Sequence, residues 1–210
     1  MLRLISDVHG HHDQYLELIH NAEYSVQLGD FGFNYAVLGN VDPLRHRLIA
    51  GNHDNHDICN QFPHFLPKFG YSQVGGHTFF HMQGAFSIDW QQRVDYDAFH
   101  NTKSWWSNEQ LSYATLEKAV ELYKIIKPDM VITHDAPRSV VHHFGKDYVL
   151  KNFGYDPKTF TTHTSEALEA MFRIHKPKNW YFGHYHVTKK VNVDGTDFQC
   201  LAELNYIDLP

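Results

Sequence analysis

Leu2-Arg3-Leu4-Ile5-Ser6-Asp7-Val8-His9 opens the chain with a short apolar run that ends in an oxygen ligand and a nitrogen ligand. The same arrangement recurs along the sequence. Ser25-Val26-Gln27-Leu28-Gly29 runs into Asp30, Leu48-Ile49-Ala50-Gly51 into Asn52-His53-Asp54, Met130-Val131-Ile132-Thr133 into His134-Asp135, and Trp180-Tyr181-Phe182-Gly183 into His184-Tyr185-His186. Short apolar runs of this kind read as buried strands. In α/β sheets, ligands gather in the crevice beyond the carboxyl ends of the strands. If the five strands share a layer, two Asp, one Asn and four or five His converge on one edge. A mixed oxygen and nitrogen set of that size suits divalent ions of the Mn²⁺, Fe and Zn²⁺ class. It is too large for one tetrahedral site, so two ions sharing a carboxylate are the natural solution.

Composition narrows the function classes. A chain of 210 residues can bury one substantial core, and no linker-like or low-complexity tract divides it, so one domain over residues 1–210 is expected. Hydrophobic residues at 42% and charged residues at 20% describe ordinary globular material. A net charge of −6 with His neutral argues against a general duplex nucleic-acid binder, which would present a basic face. It leaves a phosphorylated substrate open, because bound dications reverse the local field. The 18 His are the outlier, and the strand-end motifs account for only part of them. Cys59 and Cys200 lie far apart in no metal-type spacing and read as incidental thiols of a reduced protein. No basic and apolar leader precedes the first run, and no apolar stretch approaches the roughly 20 residues of a membrane helix. A soluble, cytoplasmic protein with no membrane partner is expected.

Periodicity places the remaining elements. Tyr15, Leu18, Ile19 and Ala22 share one helical stripe after Gly10. Ser107 followed by Gln110 has the form of a capping box, ahead of a stripe of Leu116, Ala119, Val120, Tyr123 and Ile126 that stops before Pro128. A third helix is predicted over Ser165 to His175, ended by Pro177. Hairpins are predicted at Gly75-Gly76, with His77 to Gln83 as the return strand, and at Asp194-Gly195. The predicted fold is α/β (α+β): two packed mixed sheets with helices outside.

Asp7-x-His9, Gly29-Asp30, Gly51-Asn52-His53-Asp54, His134 and Gly183-His184-x-His186 together resemble, in type, order and strand-end context, the calcineurin-like metallophosphoesterase superfamily. The stretch Gly84 to Asp89 and the Ser104-Trp105-Trp106 run further resemble its small single-domain bacterial and bacteriophage phosphoesterases. The resemblance implies a four-layer α/β/β/α sandwich and a dinuclear, metal-dependent hydrolase acting on phosphodiesters or phosphomonoesters by attack of a metal-activated hydroxide. It implies that one ion takes Asp7, His9, Asp30 and His186 and the other Asp30, Asn52, His134 and His184, with Asp30 bridging. The expected cofactor is a pair of divalent ions, Mn²⁺ first, with Fe, Zn²⁺ or Ni²⁺ as alternatives. His53 is expected to protonate the leaving oxygen or donate a hydrogen bond to it. Asp54 is placed beside it in the catalytic set, with loop capping or orientation of a ligand imidazole as its other reading.

The pattern departs from the Ser/Thr protein phosphatases of that superfamily. There the Gly-Asp motif continues into a second Asp and then an Arg that grips phosphate; here Phe31-Gly32-Phe33-Asn34 follows Asp30, and Asn55 stands where a further Arg would. The bidentate clamp suited to a dianionic monoester is missing from both places. Weight moves to diesters or small nucleotide-type substrates, with Arg93 and Arg138 as replacement phosphate contacts ahead of Arg45 and Arg47. A protein-phosphatase-like monoesterase is one alternative. A non-catalytic binding protein on the same fold is the other, and it would show a damaged ligand set. Trp105 and Trp106 are read as packing residues ahead of a base-stacking roof.

Overall fold

The computed structural model describes residues 1–144 and 147–210. Strands β1 (Leu2–Ile5), β2 (Tyr24–Gln27) and β3 (His46–Leu48) run parallel, joined at the front by helix α1 (His12–His20). Their register sets Leu4 against Val26 and Val26 against Arg47. Strand β10 (Tyr206–Leu209) closes the outer edge antiparallel to β1. There Arg3 donates to both carboxylate oxygens of Asp208, at 2.7 and 2.8 Å.

The second sheet begins with the predicted hairpin of β4 (Phe69–Val74) and β5 (His77–Met82) around Gly75-Gly76. Strands β6 (Met130–Thr133) and β7 (Asn179–Phe182) extend it in parallel, and the hairpin of β8 (Lys189–Val193) and β9 (Thr196–Cys200) completes the order β4-β5-β6-β7-β9-β8.

Side-chain alternation with period two stacks the layers. Leu2, Leu4, Val26, Phe79, Ile132 and Tyr181 meet in a core between the sheets. Ile5 faces the other way, onto Tyr15 and Ile19 of α1. Phe80, Val131, Trp180 and Phe182 face outward onto α3 (Tyr113–Ile126) and α6 (His163–Ile174), through Leu116, Ala119, Tyr123, Leu168, Met171 and Phe172. Two mixed sheets between helical layers match the expected sandwich.

Three elements differ from the sequence reading. Helix α3 is capped not by Ser107 but by Ser112, whose hydroxyl accepts from the Thr115 N–H at 3.4 Å. Ser107 to Gln110 form a turn instead. Helix α6 starts two residues earlier than predicted, at His163, under a Thr162/Ser165 capping box. Helix α2 (Trp90–His100) was not foreseen, because it buries no residue fully and so carries no clear apolar stripe. Helices α4 (Arg138–Val141) and α5 (Asp147–Asn152) are too short to show a period. Among the described residues no helix is long and apolar enough to cross a membrane.

Candidate metal centre

Each of β1, β2, β3, β6 and β7 hands its chain to the same rim, where the loops beyond the carboxyl ends are tied to one another. The His9 N–H donates to the Asp30 carbonyl at 2.8 Å, and the Gly183 N–H to the His134 carbonyl at 3.2 Å. The His53 N–H reaches Asp30 Oδ1 at 2.7 Å, and the His184 N–H reaches the Asp7 carboxylate at 3.1 Å. Asp7, His9, Asp30, His184 and His186 all adopt positive φ, between 38° and 66°. Non-glycine residues enter that region rarely, at about 1–3 kcal/mol each, and such outliers gather at functional sites. Glycines make the approach sterically feasible: a Cβ on Gly51 would land on the Asp30 carboxylate, and one on Gly183 on Ser6 and Asp7.

The rim assembles two donor sets. Asp7, His9, Asp30 and His186 form one, and Asp30, His134 and His184 the other, so Asp30 belongs to both. In the first set His9 Nε2 lies 3.0 Å from His186 Nε2, 3.6 Å from Asp30 Oδ2 and 3.9 Å from Asp7 Oδ1. In the second, His134 Nε2 lies 3.2 Å from Asp30 Oδ1 and 3.1 Å from the side-chain amide oxygen Oδ1 of Asn52, which stands beside this set. Two ligand atoms about 2.1 Å from a common ion stand roughly 3.0–3.4 Å apart for angles between 90° and tetrahedral. Three of the separations, 3.0, 3.1 and 3.2 Å, fall in that span, and those of 3.6 and 3.9 Å fit wider angles, up to about 136°. His134 Nδ1 is 2.7 Å from the Leu28 carbonyl, which holds a proton there and leaves Nε2 as the atom that would ligate a cation. The residues present therefore fit a pair of divalent cations.

Electrostatics agrees. Burial pushes the Asp7 carboxyl up to about 7. Burial lowers the His134 imidazole, but the Asp30 carboxylate more than reverses this and lifts it to about 10. Asp30 itself, raised by burial, is carried well below the carboxylate range by the His134 and His53 charges. Without a cation the rim relies on a protonated imidazole to balance its carboxylates, a role a dication fills with more charge.

His53 lies beside this centre, its ring 5.1 Å from that of His9. Burial lowers its pKa, the Asp30 charge opposes that, and Arg93 lowers it further. The neutral imidazole is then the main form at pH 7, an N–H donor. Asp54 is turned away from the donors. Its carboxylate accepts the backbone N–H groups of Asp30, Phe31, Gly32 and Gly51 at 2.8–3.3 Å, and the Tyr35 hydroxyl at 3.3 Å. This is the loop-capping geometry, and it ties the Asp30 loop to the Asn52 loop. Asp135 is likewise committed, accepting from the Ala136 N–H at 2.8 Å and from the Tyr185 hydroxyl.

The arginines divide. Arg138 lines the cleft, but its Nη1 donates to Glu166 at 3.0 Å. Arg93 Nη1 is buried and, among the described residues, makes no hydrogen bond. Arg45 and Arg47 are held on backbone carbonyls of Glu23 and Pro43 around β3. Trp106 packs on Phe33 and donates to Asp57 at 2.9 Å, and Trp105 packs on Trp90.

Sequence reasoning passed over Ser87 and Glu109. The Asn52 amide donates to Ser87 Oγ at 3.0 Å, and Ser87 Oγ in turn donates to the buried Glu109 carboxylate at 2.6 Å, while the Ser87 N–H donates to it at 2.7 Å. This chain fixes the Asn52 amide so that its oxygen faces His134. The signal lay inside Ser107 to Gln110, where Glu109 was hidden within an apparent capping box.

Comparison with known proteins bears on the family and the fold. The family profile described as calcineurin-like phosphoesterase matches residues 2–188. Lariat debranching enzyme A of Xenopus laevis is 25% identical over 158 residues, which is 69% of this chain and 29% of that protein. The chain thus spans less than a third of that relative. Among solved structures, a proposed 5'-nucleotidase from Staphylococcus aureus superposes with a TM-score of 0.54 at 14% identity, covering 96% of this chain and 48% of that one. Phosphopantetheinyl hydrolase from Mycobacterium tuberculosis gives a TM-score of 0.49 at 13% identity, covering 96% and 89%.

Proposed function

The chain belongs to the calcineurin-like phosphoesterase family, and from that premise we propose that it is a metal-dependent hydrolase of small phosphoesters, diesters and nucleotide-type esters ahead of monoesters. The observation that carries this reading is the pair of donor sets sharing Asp30. Asp7, His9 and His186 would hold one divalent cation and Asn52, His134 and His184 the other, with Asp30 common to both. Such ions, Mn²⁺ by preference, supply Lewis acidity that neutralises phosphate charge and bring a water's pKa toward neutrality. The protein's own groups do the rest. Asp54 fixes the loops that carry Asp30 and Asn52, and the Ser87–Glu109 pair orients the Asn52 amide. Neutral His53 donates an N–H bond to the leaving oxygen as its charge develops. Arg93, with a buried Nη1 lacking a partner among the described residues, is the phosphate contact favoured over Arg138.

One guanidinium in place of a bidentate clamp favours the singly charged diester. The net charge of −6 supports a small substrate rather than duplex nucleic acid. The test is turnover of bis-p-nitrophenyl phosphate against p-nitrophenyl phosphate by Mn²⁺-loaded protein, with a chelator control. Chelator-sensitive turnover favouring the diester is expected. Turnover that survives chelation, or is absent for both esters, would contradict the reading.

A further inference from the structure

A cavity of about 570 Å³ opens at the metal centre. It is lined by Asp30, Asn52, His53 and His184 of the metal centre, and also by an apolar group of Phe86, Ile88, Leu150, Phe153 and Phe160. Its volume falls in the range of about 300–1,000 Å³ of small-ligand sites. The apolar group is the unusual part. Among the described residues, these five apolar side chains belong to none of the three buried cores. They are half-buried, so the apolar surface left over faces the cavity and not the fold's interior.

This wall is aromatic as well as apolar. Phe86, Tyr155 and Phe160 form one cluster, with ring centroids 4.7–6.1 Å apart. Two threonine hydroxyls near it are already committed: Thr161 Oγ1 donates to Glu166 at 2.6 Å, and Thr162 Oγ1 accepts the Ser165 N–H at 3.0 Å. The aromatic cluster itself offers ring stacking and area burial as means of recognition.

We infer that this chamber receives a flat aromatic group carried on one ester oxygen of the substrate, while the phosphate lies at the metal centre. The inference rests on the phosphoesterase reading and adds a substrate class to it: aryl or nucleobase-bearing phosphoesters over alkyl ones. Phe160 and Leu150 are the residues that set this preference.

The test uses phosphodiesters that share the p-nitrophenolate leaving group and differ in the second ester group: methyl, n-octyl or 2-naphthyl. The 2-naphthyl ester should exceed the methyl ester in kcat/KM by at least about tenfold, and the octyl ester should fall between them. In Phe160→Ala and, separately, Leu150→Ser, that ratio should shrink at least about fivefold. Equal rates for methyl and naphthyl, or an octyl preference, would overturn the chamber assignment while leaving the hydrolase reading intact. Absence of turnover for all three would instead overturn the hydrolase reading. Fluorescence titration of metal-free protein with 2-naphthol, which has the ring and no phosphate, then tests the chamber alone. Saturable binding lost in Phe160→Ala supports it, and no binding overturns it.

Discussion

Leu4 and Asp7 stand three residues apart and are both fully buried, yet they do opposite things. Leu4 lies between the two sheets with Val26, Phe79 and Ile132, where removing apolar area from water stabilises the fold by roughly 25 cal/mol per Å². Asp7 lies on the rim, where burial pushes its carboxyl up to about 7 and its backbone is held at a φ of 38°. The same change of environment is favourable for one residue and unfavourable for the other. The buried cores fold the chain; the rim is carried by them, and a cation would offset its charge.

The comparison is tested hardest by His53, a rim residue outside both donor sets. His53→Ala should keep its metals and lose about 10²–10⁴-fold in turnover, the usual weight of a positioned acid or donor. Metal analysis alongside kcat checks it; a normal rate would remove His53 from the chemistry.

His81 sharpens the contrast from the other side, because it is an imidazole buried on β5, away from the rim. Burial and then Arg47 depress its pKa from 6.5 to about 4. Between those values the unfolded chain binds a proton that the folded chain does not. Stability is therefore fully present above about pH 6.5 and falls as pH drops toward about 4, by up to about 3 kcal/mol. Urea unfolding of metal-free protein at pH 7 and pH 4.5 should show this loss, and His81→Gln should reduce it. An unchanged pH dependence in the variant would contradict the assignment.

If the rim is unfavourable without a cation, neutralising one of its carboxylates should help the empty protein. Asp7→Asn should stabilise the metal-free chain at pH 8 by about 2 kcal/mol, while abolishing the stabilisation that Mn²⁺ gives the parent. Thermal melts with and without the ion read both effects. A destabilised metal-free variant would show that the rim contributes to folding after all.

The smallest effect belongs to Glu109, which touches Ser87 and not the donors. Glu109→Ala should weaken binding of the Asn52-side ion and lower kcat/KM about tenfold, as expected when a ligand's orienting partner is lost. Glu109→Gln should recover part of both. Equal loss in the two variants would point to a packing role.

How much of this could be read in the sequence follows the same division. Apolar runs ending in Asp, Asn or His marked both the strands and the donors, because a strand end fixes where the next side chains go. The two-sheet arrangement and both glycine hairpins were legible from short apolar runs and turn residues. Helix α2 was not, having no fully buried residue to give it a stripe. Asp54 shows the limit at the site. A carboxylate next to Asn52 and His53 reads the same whether it faces substrate or gathers backbone N–H groups from two loops, and only the fold reveals the second. Ser87 and Glu109 were invisible because their relay joins loops 22 residues apart without periodicity.

Asp30 is the one carboxylate proposed to serve two ions. The direct measurement is the Mn²⁺ content per chain of the parent and of Asp30→Asn after loading and dialysis. Two ions in the parent and joint weakening of both in the variant are predicted. A single ion in the parent, or loss of only one in Asp30→Asn, would contradict the shared site.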